Sequence, residues 1–558
     1  MEQLLLITFI GSLIMTILII PISRHVKNSK LLSKKLIITS ILAFVVSFIS
    51  IFVTVYVSKI DLNWTLFLYV LPVAALVGAI LAGGVEQKFK SAIVLVGILG
   101  IAYLISAPLL NAEQKFKSSQ MEEKVEIEAF DETKKPASVP PQFVKNKMKK
   151  AFGQVPNTSY YELGRLQIQK VNGEYVYIAP VEFSDLFKWF SGKSTPGYFT
   201  MSATDSSDNP KFIKSEMSYI PSVYLNKNLE RHMRLQYPTL IFYGQSQLEI
   251  DEDGKPFYIR SYGEFISARN GFDVKGIVIV DAKTGQTEKL AIKDVPDYID
   301  GAISPETVSL QNSYYGNYVH GYWNSVVGKK DVKLPSDEGT EANVSPIFME
   351  DGEMYYFTDF TSPKEGVDSM LGYSLTNART GAATYYTGNL DESYMDSQGA
   401  LQIIEKKFIE KKWQGKMPIL YNFYGEASWL TAVLDANGFL QNYFIVSAAN
   451  PEISAFASTP NEALKLYKIA LNRGGSTVDG TSNAEEATVT GEVVRVYKER
   501  VGDFTLVSFL MNTGENFIVS SEVVPLAIYL QQGDRIIMTY AKTGEQFQPV
   551  KKVIIEGL

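Results

Sequence analysis

Sixty acidic residues stand against three histidines and no cysteine, and that inventory limits the chemistry open to this chain. Without cysteine there are no disulfides, thiolate nucleophiles, cysteine-bound zinc or iron–sulfur clusters. His25 falls among basic residues near the N-terminus, while His232 and His320 are far apart with no H-x-x-x-H spacing. A catalytic triad or a histidine metal site therefore lacks its parts. The chain has no Gly-x-Ser-x-Gly elbow, no Ser-x-x-Lys with its partner motifs and no phosphate-binding loop. What remains is carboxylate chemistry, since an Asp/Glu pair can hydrolyse a glycoside. Such a pair is chosen by tertiary geometry, and with this many acids the sequence selects none. It names no catalytic, cofactor-binding or metal-binding residue and implies no cofactor.

Two acidic turns, Asp251-Glu252-Asp253-Gly254 and Asp205-Ser206-Ser207-Asp208, invite a calcium reading. Both lack the twelve-residue ligand pattern and its terminal Glu, so they read as hairpin turns. The densest local feature is the aromatic run from Tyr314 to Trp323. It could line a groove that stacks a glycan or peptide. Alternatively it forms a helix or turn packed between two structural units, with His320 held by a backbone carbonyl, and we favour this reading. The candidate partner-contact aromatics are Trp189, Tyr315, Tyr318 and Trp323.

The elements that must position these residues begin with a membrane anchor. Four runs, Leu4–Ile22, Leu36–Val57, Trp64–Gly83 and Ala92–Leu110, contain no Asp, Glu, Lys or Arg. Each is long enough to cross a hydrocarbon core about 30 Å thick. A signal peptide predicts one such run followed by a cleavage site, not four. The first connecting loop carries Arg24, Lys27, Lys30, Lys34 and Lys35 and no acid, Lys59 and Asp61 cancel in the second, and the third has a small positive excess. Basic short loops stay in the cytoplasm. The expected topology is a multi-pass cell-membrane protein with both termini, the second loop and everything after Leu110 outside. No charge inside a span suggests an ion or proton path.

Residues 111–150 read as a charged, proline-containing stalk. Within it the basic stretch Lys145–Lys150 is either a solvated helix entering the next domain or a contact for anionic headgroups. Residues 151–473 read as α+β. Turns recur there in two forms. Asn172-Gly173, Asp253-Gly254, Asp351-Gly352 and Asn437-Gly438 open aromatic strands. Asp281-Ala282-Lys283-Thr284-Gly285 and Asn377-Ala378-Arg379-Thr380-Gly381 close them. Such turns suit antiparallel hairpins, and their recurrence implies repeated antiparallel units. The clearest unit has a helix over Ser397–Trp413 with Leu401, Ile404, Phe408 and Ile409 on one face, ended by Pro418. Strands Ile419–Tyr424, Ser428–Leu434 and Leu440–Ala448 follow, and then a helix capped by Thr459. Lys227–Leu290 repeats the order. Residues 474–486 read as a linker. Residues 487–558 read as a five-stranded barrel, OB-like or SH3-like, with a short helix in Ser521–Leu530.

The helix-then-meander unit with its Asp-Ala-Lys-Thr-Gly turn resembles the PepSY-like units of bacterial exported proteins. The stretch from Tyr160 to Tyr467 is similar to a family of uncharacterised Gram-positive membrane proteins. The segments that carry this are Pro180–Phe183 with Phe187-Lys188-Trp189, Thr195–Tyr198, Asp294–Tyr298 and Tyr315–Asn324. The resemblance implies topology and fold style, and partner binding or restraint rather than catalysis. A large outer region without cysteine fits a Gram-positive envelope, where disulfides are little used.

The formal net charge of −7 argues against generic nucleic-acid binding. Basic residues of the barrel such as Arg495 and Lys551 are diluted by Glu492 and Asp534, so a protein-binding or structural barrel is expected. The partners expected are the lipid bilayer and other envelope proteins or cell-wall polymers. The expected function is a non-enzymatic, membrane-anchored scaffold or partner-binding module. The alternatives are a carboxylate-dependent cell-wall hydrolase and an envelope sensor without its own cytoplasmic output domain.

Overall fold

The structure is a computed structural model that describes residues 1–23, 34–125, 130, 139–267, 269–349, 351–364, 366–388, 393–474, 486–501, 504–521, 524–541 and 547–557. Arg24, His25, Lys27 and Lys30 of the first loop, most of the acidic stretch before Thr133, and linker residues 475–485 lie outside these. The chain divides into two compact units. One comprises Met1–Glu126, Lys134–Ile419 and Ala432–Gln441, the other Ile127–Thr133, Leu420–Thr431 and Asn442–Leu558.

The first unit begins with α1 (Glu2–Ile19), α2 (Lys34–Ser58), α3 (Trp64–Leu81) and α4 (Gly84–Leu110), each long and apolar enough to cross a membrane. Most of their large side chains face outward, as Ile38, Leu42, Ile80 and Ile105 do. Outside a bilayer such surface would be costly, so the four helices mark membrane association. Small residues let them close: a Cβ on Gly78 would meet the Leu18 carbonyl oxygen, and one on Gly97 the Pro72 ring.

The segment expected as a stalk is packed instead. Helix α5 (Ala112–Ser118) lays Phe116 against Tyr315. Strand β1 (Glu122–Lys124) pairs in parallel with a strand of the third sheet described below. Helix α6 (Pro141–Lys150) buries Phe143, Val144 and Met148 in a core shared with Ile168, Tyr177 and Phe199 of the first sheet. Charge and proline content hid this because the apolar residues of α6 occupy only one helical face. Its basic face is also engaged: Lys147 donates to the carbonyls of Ser206 and Asp208, and Lys150 lies 3.8 Å over the Phe439 ring.

Sheets then follow by repetition. The first has β2 (Tyr161–Leu163), β3 (Gln167–Val171), β4 (Glu174–Phe183), helix α7 (Leu186–Gly192), β5 (Thr195–Ser202) and β6 (Lys211–Met217). Helix α8 (Leu229–Gln236) opens the second, of β7 (Ile241–Phe242), β8 (Gln247–Ile250), β9 (Pro256–Glu264), β10 (Asp273–Asp281) and β11 (Thr287–Ala291). Helix α9 (Pro305–Asn317) opens the third, of β12 (Leu334–Pro335), β13 (Ser345–Phe348), β14 (Met354–Thr361), β15 (Met370–Asn377) and β16 (Ala383–Tyr386). Helix α10 (Ser397–Lys407) opens a fourth, β17 (Gln414–Phe423), β18 (Glu426–Leu434), β19 (Leu440–Ser447) and β20 (Ser454–Ala457), in that order. In the first three sheets a short strand pairs with the end of the second long strand, β2 with β4, β7 with β9 and β12 with β14. In the fourth, β17 is unbroken, with Met417 at φ 58°.

One turn identifies the equivalent positions. Ala203, Ala282, Ala378 and Ala448 are all buried, and each donates its N–H to the start of the neighbouring strand, at Tyr175, Pro256, Met354 and Ala427. The residue before each is Ser202, Asp281, Asn377 or Ser447, and its side-chain oxygen accepts the next two free N–H groups. Asn437-Gly438 therefore does not open a strand equivalent to the other three. It joins β18 to β19, where the other sheets carry longer connections. Ser447-Ala448 is the repeat's own turn, missed because it lacks glycine.

Two other expectations fail locally. Ile409 is exposed rather than part of the apolar helix face, and the helix ends at Lys407. Pro418 lies inside β17 rather than ending the helix.

In the second unit, Thr459 Oγ1 accepts the Glu462 N–H and caps α11 (Pro460–Gly474). Strands β21 (Glu486–Val501), β22 (Phe504–Met511), β23 (Asn516–Ser520), β24 (Arg535–Ala541) and β25 (Phe547–Ile555) close a barrel in the order β21-β22-β23-β25-β24. A turn of 3-10 helix, Pro525–Tyr529, lies between β23 and β24.

Candidate functional site

The segments between each short strand and the first long strand are equivalent by the repeat: residues 164–166, 243–246 and 336–344. The first unit brings them together around Glu306, which lies in the first turn of α9. Ser304 accepts the Thr307 N–H and Pro305 holds the first helical position, so α9 starts there. Arg165 donates to Glu306 (3.1 Å) and to Glu341. A Cβ on Gly244 would meet Ser304 and Glu306, and φ is +71° at that glycine.

Beneath this meeting point lies Tyr356, fully buried. Burial first, then the charges of Glu341, Glu249 and Glu306, raises its hydroxyl well above the ordinary value. Burial and the Asp300 charge likewise push the Glu249 carboxyl well above its ordinary value. Its Oε1 accepts the Gly301 N–H at 3.2 Å. Arg165 Nη1, Glu249 Oε2, Glu306 Oε2 and Thr340 Oγ1 are buried without a hydrogen-bond partner among the described residues. Nearby Arg379, on the third sheet's repeat turn, bridges Asp297 (3.1 Å), Glu353 (3.2 Å) and Asp300 (3.5 Å).

The third segment is the long one, and its extra length makes a groove of about 240 Å³. One wall is Asp337–Thr340, another Pro140–Gln142 at the start of α6, and a third Gly415–Pro418 of β17, with Leu401 of α10 between. The lining mixes carboxylates, one lysine and apolar side chains. Enclosed ligand sites run to roughly 300–1,000 Å³, and this groove is smaller. Glu338, Gly339 and Pro418 also bound a second cavity of about 10 Å³, room for one water. Asp359 lines it, accepting the Ser397 N–H at 2.9 Å, and Ser336 and Ser397 share a hydrogen bond of 2.8 Å. Burial pushes Asp359 up to about 6, against the Ser397 hydrogen bonds that lower it. Among the described residues no group of three His, Cys, Asp or Glu is placed to hold a metal ion.

The aromatic candidates are not gathered at this groove. Trp189 is buried in α7 against Phe190 and Tyr224. Tyr315 is buried among Phe116, Phe360 and Tyr385, and its hydroxyl donates to Glu123 at 3.1 Å. Tyr318 is half-buried beneath Lys115, whose Nζ lies 5.7 Å from its ring. Trp323 alone is well exposed, at 68%. The aromatic run is thus the end of α9 and a following helical turn, Gly321–Trp323, both packed on α5. His320 pairs with Asp331 at 2.7 Å rather than with a carbonyl. The carbonyl-bound histidine is His232, on Gly285 at 2.7 Å, where burial lowers its pKa. Reasoning from aromatics missed the groove, whose signal is the polar run Ser336–Asn343.

No family model and no curated protein matches this chain. Among solved structures, a thermostable family-43 glycoside hydrolase is similar at 10% identity and a TM-score of 0.17, covering 51% of this chain and 71% of that one. A second glycoside hydrolase aligns at 10% identity and a TM-score of 0.17, over 67% of this chain and 94% of its own. Agreement that low carries no argument about fold or activity.

Proposed function

We propose that this chain is a multi-pass protein of a Gram-positive cell membrane whose large region beyond Leu110 is extracytoplasmic and binds a partner without catalysis. The groove between Pro140–Gln142, Asp337–Thr340 and Gly415–Pro418 carries the reading. It is open, mixed in polarity and formed by the one lengthened segment of a repeated architecture. Nearby charges are committed to internal partners, Arg165 to Glu306 and Glu341, and Arg379 to three carboxylates. The occupant proposed is an extended segment of an envelope protein or cell-wall polymer.

The repeated helix-and-meander units support the PepSY-like reading. The barrel order, with β23 parallel to β25 and a short helical turn before β24, supports the OB-like over the SH3-like alternative. The basic first loop supports the inside–outside assignment.

A photo-crosslinking residue at Leu401 or Met417 of the full chain in intact cells should capture a discrete product, and one at exposed Ser207 should not. Equal, diffuse labelling at all three sites would sink the groove reading. A second reading, a carboxylate-dependent cell-wall hydrolase, draws on Asp359, whose elevated pKa beside the groove suits a general acid. Peptidoglycan fragments released by the protein, and lost in Asp359→Asn, would establish that reading instead.

A further inference from the structure

Two exposed apolar patches lie beside the ends of the membrane helices. Beyond α9 the chain makes a helical turn, Gly321–Trp323, that packs against α4 and α5, and continues through Asn324–Gly328. There Trp323, Val326 and Val327 are exposed, Val327 at 76%, and exposed Lys329 and Lys330 follow. The exposed Ile105 and Leu110 of α4 bring an apolar surface up to this point.

The second patch is Leu186, Phe187 and Phe190 of α7 with Tyr224 and Leu225. Phe187 is 82% exposed. Trp189 joins the two parts, its ring 5.6 Å from that of Tyr224. This patch adjoins the end of α2. Tyr56 donates to Asn226 at 2.9 Å, and Arg231 links the Tyr56 and Leu225 carbonyls at 2.7 and 2.8 Å. Lys188, Lys193 and Lys227 stand among these residues.

Both patches are thus continuous with the helix ends that an interface must cross, at Ser58 of α2 and Leu110 of α4. Trp64, 69% exposed at the start of α3, marks the same end of the bundle. Tryptophan there, apolar side chains beside it and lysines around them are the composition of a headgroup boundary.

We propose that the part of the first unit beyond Leu110 lies on the bilayer its helices span, with Trp323–Val327 on one side and Phe187, Phe190 and Leu225 on the other seated among the headgroups. The proposal rests on the membrane-spanning reading. It gives the part of the first unit beyond Leu110 a fixed height and tilt, which a flexible stalk would not.

The absence of cysteine makes the test direct. Single-cysteine variants V327C, F187C, S207C and V46C of the full chain are labelled with an environment-sensitive fluorophore and reconstituted in phosphatidylcholine–phosphatidylglycerol vesicles. Val46 lies mid-span in α2 with an exposed side chain. Nitroxides carried shallow or deep on the lipid chains, and aqueous iodide, serve as quenchers. The expected result is strong quenching at Val327 and Phe187 by the shallow nitroxide, weaker quenching by the deep one, and little by iodide. Val46 should show the reverse depth order, and Ser207 should respond to iodide alone. If Val327 and Phe187 behave like Ser207 while Val46 is lipid-quenched, the seating is refuted and the spanning helices stand. Protection of both from every quencher would mean that protein, not lipid, covers them. A Val46 label reached by iodide would refute the membrane reading and this proposal with it.

Discussion

Arg269 holds Asp61 with two parallel hydrogen bonds, Nη1 to Oδ2 at 2.9 Å and Nη2 to Oδ1 at 2.8 Å. The pair joins the loop between α2 and α3 to the connection between β9 and β10. Neighbouring contacts reinforce it: Arg234 donates to the Lys59 carbonyl at 2.8 Å, Lys59 meets Glu230 at 2.5 Å, and Leu235 packs on Leu4. The loop between α2 and α3 is therefore part of the first unit's fold, on the same side as the sheets. The sequence read the cancelling charges of Lys59 and Asp61 as neutral for topology, and they are in fact each paired elsewhere.

Removing one partner of this largely buried pair leaves the other charge without compensation, a loss of about 3 kcal/mol. Arg269→Ala should lower the thermal midpoint of the full chain in detergent and speed proteolysis between Phe265 and Phe272. Burial opposes ionisation of Asp61, but Arg269 outweighs it and holds the carboxyl below its ordinary value. The stability this contributes is present above the unfolded carboxylate range and lost as pH falls through the folded pKa. The gap between wild type and variant should therefore close in acid. A gap that widens as pH falls would contradict the assignment.

The repeat turns make a graded series. Asp281→Ala and Asn377→Ala each leave two backbone N–H groups without their acceptor and should cost about 1–2 kcal/mol. Asp281→Asn keeps the acceptor and should cost less, losing mainly the Lys255 pair at 2.7 Å. Ala282→Val and Ala378→Val force bulk into fully buried positions, an overpacking penalty of about 1–3 kcal/mol. Denaturant midpoints of the five variants test the order, and a neutral Ala378→Val would show that the equivalence of these alanines has no packing basis.

Much of the architecture was legible because it depends on local signals. The four apolar runs, the Asp-Gly hairpins and the Thr459-Pro460 cap each follow from short-range chemistry. What stayed hidden depends on partners distant in sequence. Glu122–Lys124 is an ordinary acidic stretch until β16 lies beside it. Ser447-Ala448 looks like no turn until aligned with Asp281-Ala282. The aromatic run was legible as composition, but only its contact with α5 shows that Tyr315 is core and Trp323 surface. The groove is least legible, since it arises from the length of one segment relative to its equivalents.

Asp359 offers a pH test of the groove's neighbourhood. Its folded pKa is raised from 3.8 to about 6, so the folded state holds a proton that the unfolded state releases. Its favourable contribution is full below the unfolded value and disappears as pH rises through about 6. A rise of that size corresponds to about 3 kcal/mol lost between acid and neutral pH. Asp359→Asn keeps the acceptor for Ser397 and removes the titration. Its stability should fall less than wild type from pH 4 to pH 8, and a steeper fall would refute the raised pKa.

The barrel supplies its own core. Val493, Val507, Phe509, Phe517, Ile536, Met538, Val553 and Ile555 are buried against one another, with Tyr540 edge-on to Phe517 at 5.0 Å. Every residue of that cluster lies between β21 and β25, so a fragment spanning 486–558 has the contacts it needs. It should give dispersed amide resonances and a single cooperative melt. Phe517 is completely buried, and Phe517→Ala should remove about 3–5 kcal/mol. That is most of what a domain this size has to spend, so the variant should be largely unfolded at room temperature. A disordered wild-type fragment would mean that the cluster closes only when the preceding helix α11 and its strands are present.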